Sequence, residues 1–221
     1  MQLKTNEALS FMSPAEQAGH YEIHSYYWHN EANKLPFEDE TKRELYEVFH
    51  KSRAMKDSIL FDVPYEQAYE ANTHLIPVLL LHEQIDEERR WPDEAETAVF
   101  LSAISTYYSL LLSDKECYDL VTIDICANLE LERWFAHSVR DRDRLFVATR
   151  DQYNLIFGID IPGHIISLFI DSTIEHDRAE RHERTGSPKI VIDWHWRECE
   201  KLMIEHFTKL MGLTRNDEIQ I

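Results

Sequence analysis

Glutamate and histidine recur seven residues apart in this chain, and this is the first spacing that could do chemistry. Twelve histidines occur among 221 residues, and residues seven apart on a helix share one face. Carboxylates and imidazoles on facing helices can bind iron, manganese or zinc inside a helical bundle. The spacing occurs at Glu22 and His29, and a di-metal site would use Glu130, His137, Glu175 and His182.

Three shorter motifs also contain possible metal ligands. His176, Asp177 and Glu180 resemble the HDxxE motif of metal-dependent phosphohydrolases. His82 and Glu83 begin a string similar to a zinc-protease motif, but Asp86 replaces its second histidine. His20 and His24 either bind a metal or flank Tyr27 on a half-buried helix face. Because abundant Glu and His produce such spacings by chance, we predict a protein without metal, cofactor or catalysis, with a metal enzyme as the alternative.

Acidic residues outnumber basic ones by 41 to 23, which gives a formal charge of −18. This charge repels nucleic acids and anionic membranes, so neither is an expected partner. The acidic segment (residues 83–96) is the densest cluster. Like charges at this density cost stability, and a basic protein partner would relieve them and bind faster. We predict that the partner-binding residues are Glu83, Asp86, Glu87, Glu88, Asp93, Glu94 and Glu96, with Trp91 as an aromatic anchor.

The acidic segment also has a purely structural interpretation. Asp93, Glu94 and Glu96 precede or begin an apolar run, where negative charge stabilises the positive end of a helix dipole. The remaining charge would then only keep the protein soluble. Arg89 and Arg90 are the only basic residues that interrupt the segment.

The pattern of apolar residues and prolines predicts an all-α fold. Thr97 to Ser113 contain no charged residue, and we expect this run to be the central buried helix. It is too short to span a membrane. With 43% apolar residues, residues 1–221 are expected to form a single-domain bundle of about seven or eight helices around 97–113. Residues 1–12 are expected to be disordered or loosely docked.

Several boundaries follow from capping motifs and prolines. The segment 145–158 could be one helix or two short strands. The polar second half of the helix after Pro162, EHDRAERHER, is expected to project into solvent or an interface. The predicted helices are 14 to about 33 behind a Ser13–Glu16 capping box, a surface helix 41–55, a helix from Pro64 bent or broken at Pro77, 114 to about 137 behind a Ser113–Glu116 capping box, 162–186, and a last helix from at least Trp194 to Gly212.

The cysteines and the first residues predict a reducing compartment. Three cysteines, Cys117, Cys126 and Cys199, form no CxxC pair, which argues against a disulfide framework or a ribbon-type zinc site. The start MQLKTNEALSFMSP lacks the basic and apolar regions of a secretory signal. We therefore expect a cytoplasmic protein.

Two stretches resemble a known family. LSAISTYYSLLLSDKECYDLV (101–121) resembles the central helix pair of the all-helical immunity proteins that neutralise polymorphic toxins of the PoNe DNase type. ERHERTGSPKIVIDWHWRECEKL (180–202) is similar to their C-terminal pattern. The resemblance implies one all-α domain that binds its toxin tightly and occludes or distorts the active site, with no catalysis of its own. An acidic surface suits a nuclease, whose active face is basic.

Overall fold

Helices account for all the regular structure that the computed structural model describes, namely in residues 9–36, 40–88, 90, 92–112, 142–157 and 160–217. No strand occurs within these ranges, so the all-α prediction is confirmed. The helices are α1 Pro14–Asn33, α2 Glu40–Leu60, α3 Tyr65–Thr73, α4 Ile76–Glu88, α5 Glu94–Leu111, α6 Arg142–Phe157, α7 Gly163–Arg184 and α8 Lys189–Asp217.

Helix starts follow the predicted capping chemistry. The Ser13 hydroxyl accepts a hydrogen bond from the Glu16 amide at 3.3 Å, and the Glu16 carboxylate accepts one from the Ser13 amide at 2.7 Å. This reciprocal pair satisfies two groups that a helix start leaves open. The predicted break near Pro77 is also present, because α3 ends at Thr73 and α4 begins at Ile76. The second predicted capping box and the helix 114–137 lie outside the described residues.

Contacts divide the chain into two units. The terminal unit comprises residues 1–62 and 161–221, with α1, α2, α7 and α8; the middle unit comprises residues 63–160, with α3 to α6. The expectation of one domain over 1–221 stays a prediction. None of the described helices is long and apolar enough to cross a membrane.

The terminal unit is built around α1 and α8. Helix α1 packs along both α2 and α8, and α7 packs along α8. Gly19 lies where α1 meets α8: a β-carbon there would be 2.7 Å from Cγ1 of Ile204 and 3.0 Å from its Cα. The two helices can approach this closely only because residue 19 has no side chain. The fully buried apolar side chains of the unit include Ile23, Ile166, Ile170, Met203, Phe207 and Leu210.

The middle unit packs α3 and α4 against α5. The predicted apolar helix is confirmed from Thr97 to Leu111, but its burial is confined to one face, formed by Phe100, Ile104, Tyr107, Tyr108 and Leu111. Val99 is exposed. The amide of Gln67 on α3 donates to the Leu110 carbonyl, and that of Gln152 on α6 donates to the Tyr108 hydroxyl. The uncharged run is therefore one amphipathic layer of this unit.

Four boundary predictions need correction or completion. The open segment 145–158 is helical through Phe157. Helix α8 begins at Lys189 and continues past Gly212, since a helix tolerates one interior glycine at about 1 kcal/mol. The predicted surface helix 41–55 extends from Glu40 to Leu60 and buries His50, Lys56 and Asp57. The polar half of α7 projects only in part, because Glu175, His176 and Ala179 are buried, whereas Arg178, Arg181 and Arg184 are exposed.

Replacing Gly19 by alanine should destabilise the terminal unit. The new methyl group would overlap the backbone as well as the side chain of Ile204, and overpacking of this kind costs about 1–3 kcal/mol. Gly212→Ala is the matched control, because a β-carbon there meets nothing within 4 Å. That variant should gain about 0.5–1 kcal/mol from helix propensity. Urea denaturation measures both, and equal effects of the two substitutions would contradict the proposed close approach.

Candidate functional site

The described part of the acidic segment is organised by Arg90. Its Nη1 and Nη2 atoms lie 2.6 and 2.7 Å from the two carboxylate oxygens of Glu96, and its Nε atom contacts Glu88. A guanidinium that donates two parallel hydrogen bonds to one carboxylate fixes both orientation and distance. Arg90 therefore joins the end of α4 to the start of α5.

Asp93 and Glu96 form a capping box at the start of α5. The Glu96 amide donates to Asp93 at 2.9 Å, and the Asp93 amide donates to Glu96 at 2.9 Å. The Arg90 guanidinium, followed by the Asp93 amide, lowers the pKa of Glu96 to about 2. These two carboxylates thus serve the structural role that the helix-dipole interpretation assigns to them.

The structure brings four of the predicted partner-binding residues together and leaves the others undescribed. Glu88, Asp93, Glu94 and Glu96 lie around the joint between α4 and α5. Glu88 and Glu94 are exposed. The side chains of Glu83, Asp86 and Glu87, and Trp91 altogether, lie outside the described part.

A second concentration of polar groups is buried in the terminal unit, and it includes His20, His24, Glu175 and His176, which the sequence offered as possible metal ligands. We call it the polar seam. It lies between α1 and the helices that pack around it, and its members are His20, Glu22, His24, Asn30, His50, Ser52, Lys56, Asp57, Ser172, Glu175, His176, His195, Cys199 and His206.

Lys56 holds one end of the seam. Its ammonium group lies 2.8 Å from an Asp57 oxygen and 3.4 Å from a Glu22 oxygen. The other oxygen of Glu22 accepts a hydrogen bond from the Tyr26 hydroxyl at 3.1 Å. Removing one partner of a buried ion pair typically costs about 3–5 kcal/mol, so this group fixes how α1 lies on α2.

Glu175 and His195 join α7 to α8. Their Oε2 and Nδ1 atoms are 2.6 Å apart, and the other Glu175 oxygen contacts Arg178. A carboxylate bound to Nδ1 orients a histidine as in general-base dyads, but His182 stacks on this ring at 5.0 Å and Trp194 contacts it at 4.8 Å. The dyad therefore acts here as a contact between helices.

The predicted metal ligands are not gathered into a metal site within the described residues. Glu175 is bound to His195 and Arg178, and Nδ1 of His182 lies 2.9 Å from the Ser187 hydroxyl. Glu130 and His137 lie outside the described part. No group of three or more His, Cys, Asp or Glu side chains in that part could hold a metal ion.

The HDxxE-like residues have separate partners. Nε2 of His176 lies 3.2 Å from the Asn30 amide nitrogen, and its ring stacks on Tyr26 at 4.5 Å. Asp177 instead accepts a hydrogen bond from Arg181 at 2.7 Å. Glu180 lies 3.7 Å from His176. The pKa of Glu180 is raised to about 7, and burial is the largest cause of this rise.

His20 and His24 are buried completely, contrary to the predicted half-buried face beside Tyr27. Nδ1 of His24 accepts a hydrogen bond from the Trp28 indole at 3.0 Å and lies 3.2 Å from the Ser52 hydroxyl. Nδ1 of His20 is 3.7 Å from a Glu200 oxygen. Nε2 of both rings has no hydrogen-bond partner among the described groups.

The spacing of residues along α2 and α7 could have indicated the polar seam, because apolar residues on one face of each helix are followed there by polar ones. Phe49, Ser52 and Lys56 follow a spacing of three and four residues, which places them on one face of α2. On α7 the same spacing runs through Phe169, Ser172 and His176. Polar residues that continue an apolar stripe are candidates for burial.

The comparisons with known proteins add no assignment to this geometry. No protein-family model, curated protein or solved structure matches the chain. The resemblance to toxin immunity proteins therefore stays a prediction.

The buried histidines predict a loss of stability in acid. Burial, followed by the charge of His20, lowers the pKa of His24 to about 4; burial, followed by Arg53, lowers that of His50 to about 4. Between pH 6.5 and 4 the unfolded chain therefore binds more protons at these sites, and the free energy of unfolding falls as the pH falls. Each site contributes up to roughly 3 kcal/mol.

Glu180 changes the free energy of unfolding with pH in the opposite direction. Because its folded pKa is raised, the carboxyl binds its proton more tightly in the folded chain, and its contribution grows as the pH falls from about 7 to 4.5. Urea denaturation at several pH values measures the sum. Glu180→Gln should steepen the net loss in acid, and His50→Gln should flatten it. A stability that is constant from pH 7 to 4 in both variants would contradict these assignments.

Proposed function

We propose that this chain is an acidic, all-helical protein-binding inhibitor, an immunity protein that neutralises a basic, nuclease-type toxin by direct binding in the cytoplasm. The observation that carries the proposal is the acidic segment, in which Arg90 and the capping box hold the joint between α4 and α5 in one geometry. A buried free thiol at Cys199 is compatible with a reducing compartment.

Preorganisation makes such a segment suitable for binding. Glu88 and Glu94 stay exposed while Glu96 and Asp93 are engaged inside the joint. A partner's lysines and arginines would then meet carboxylates whose supporting backbone is already fixed, which lowers the entropic cost of association. Complementary charge would also steer the encounter and exclude acidic competitors.

The expected partner surface follows from the chemistry of nucleases. An enzyme that binds a polyanion presents a basic active face, and carboxylates at a rigid helix joint can occupy the positions that phosphates would take. Inhibition needs only occlusion of that face, so it requires no catalytic group in the inhibitor. The di-metal alternative gains no support from the described contacts of Glu175 and His182.

Charge reversal tests the proposed surface. The double variant Glu88→Lys with Glu94→Lys should weaken the complex with a basic toxin encoded beside this chain by about 10- to 1,000-fold, because rim and core charge pairs each contribute about 1–2 kcal/mol. Isothermal titration at low and moderate salt measures the change. Extending the reversal to Glu87 should weaken binding further.

Glu40→Lys with Glu44→Lys is the matched control. Both residues are exposed on α2 of the terminal unit, and the substitutions change the net charge by the same amount. If both double variants weaken binding equally, only overall charge matters and the acidic segment is not the interface. If neither does, the proposal fails.

Metal analysis of the untagged protein separates the inhibitor from its metal-enzyme alternative. We expect iron, manganese and zinc far below one equivalent by mass spectrometry, because Glu175 and His182 are engaged with other side chains. A stoichiometric metal that is lost in the variant Glu130→Gln with His137→Gln would contradict the proposed function.

A further inference from the structure

The start of α8 exposes two large apolar side chains. Ile190 is 78% exposed and Trp194 is 55% exposed; they lie one turn apart and so share a helix face. Exposed tryptophan is uncommon on a surface that contacts only water, and tryptophan is enriched where proteins bind one another.

Several arginines and lysines lie on α7 and α8 before and after this pair in the chain. Helices α7 and α8 pack along each other. The Glu175 carboxylate contacts Arg178 and also binds the His195 ring. That ring in turn contacts Trp194. Arg184 and Lys189 end α7 and begin α8, so they lie beside Ile190 along the chain. Arg197 is exposed one turn beyond Trp194.

In four ion pairs of the second half of α7 and the start of α8, the arginine or lysine side chain is more exposed than its acidic partner. The side-chain exposures are 52% for Arg178 against 10% for Glu175, 64% for Arg181 against 28% for Asp177, 70% for Arg184 against 30% for Glu180, and 83% for Lys189 against 37% for Asp193. Acidic and basic residues are nearly equal in number here, but an approaching ligand meets the basic side chains first.

We propose that Ile190 and Trp194, with Arg178, Arg184, Lys189 and Arg197, form a docking surface for an acidic segment of a partner protein that also carries an apolar side chain. We call it the α7–α8 face. The apolar side chain packs on Trp194 and Ile190, and the carboxylates of the segment pair with the surrounding basic groups. The face is in the terminal unit, so it is separate from the acidic segment of the chain itself.

The small extent and the basic groups of the α7–α8 face favour a narrow acidic protein segment as its partner. Charges beyond about 8 Å are screened at physiological salt, so a narrow segment responds mainly to the local basic groups. A second copy of this chain or an anionic membrane is broad and would also meet the remaining acidic surface. Membrane binding also scales with buried apolar area, and only two large apolar side chains are exposed on this face.

Nuclear magnetic resonance of the full chain tests the docking surface with two synthetic peptides. One alternates leucine and phenylalanine with glutamates, and the other has lysine at every glutamate position. The acidic peptide should shift the Trp194 indole N–H signal in a saturable way, with an affinity that falls at least about 5-fold between 50 and 300 mM salt. The basic peptide should leave the signal unchanged.

Substitutions then locate the contact. Ile190→Ser with Trp194→Ala, followed through the backbone amide signals of α8 because the indole is removed, should abolish binding of the acidic peptide. Arg184→Gln with Arg197→Gln should weaken it about 5-fold or more. Arg43→Gln with Lys209→Gln is the matched control, because both residues are exposed elsewhere in the terminal unit. The thermal midpoint should stay the same in all three, since the altered side chains are exposed.

Three results would overturn the proposal. The acidic peptide could leave the Trp194 signal unmoved, the basic peptide could bind equally well, or the control variant could weaken binding as much as Arg184→Gln with Arg197→Gln. Vesicles of phosphatidylserine and phosphatidylcholine provide the remaining arm. If they shift Trp194 emission while the acidic peptide does not bind, the occupant is a lipid surface and the proposed protein segment is wrong.

Discussion

The terminal unit depends on the close approach of α1 to α8 at Gly19. Because the backbones meet there, the polar side chains beside Gly19 are enclosed, and water cannot satisfy them. Buried polar groups need partners within the protein, and the seam supplies them through Lys56 with Glu22 and through Glu175 with His195. These pairs are directional, so they specify the register of four helices more narrowly than apolar contacts alone would do.

The same constraint explains why so many carboxylates and imidazoles form no group of three or more that could hold a metal ion in the described residues. Glu175 binds His195 and Arg178, while Nδ1 of His24 is engaged by Trp28. A ligand or substrate would have to displace partners that hold helices together. The described buried pairs, such as Glu175 with His195 and Lys56 with Glu22, thus hold neighbouring helices together.

Sequence reasoning predicted features that depend on local chemistry. The Ser13–Glu16 box, the break before Pro77 and the start of α7 after Pro162 are decided by a few adjacent residues, and the structure confirms them. The polar seam depends on which helices meet, which a single helix pattern does not contain. The charged neighbours of His176 in the sequence predict a segment that projects into solvent or an interface, but His176 continues the stripe of Phe169 and Ser172 and is buried. In the sequence, Arg90 is only a basic residue that interrupts the acidic segment. Its bidentate bond to Glu96 forms across a turn, so the pattern of one helix does not indicate it.

Net charge alone does not decide what a partner meets at each surface. At the α4–α5 joint one arginine serves two glutamates; the side chain of Glu88 is more exposed than that of Arg90, whereas the side chain of Glu96 is less exposed, so Glu88 is the carboxylate of this group that faces the solvent. At the α7–α8 face each acid lies closer to the helix than its basic partner, so guanidinium and ammonium groups face the solvent. Interactions across about 8 Å or less escape most of the screening by salt. The most exposed members of these pairs, Glu88 at the joint and the basic side chains at the α7–α8 face, therefore differ in sign, and the two proposed docking surfaces depend on this difference.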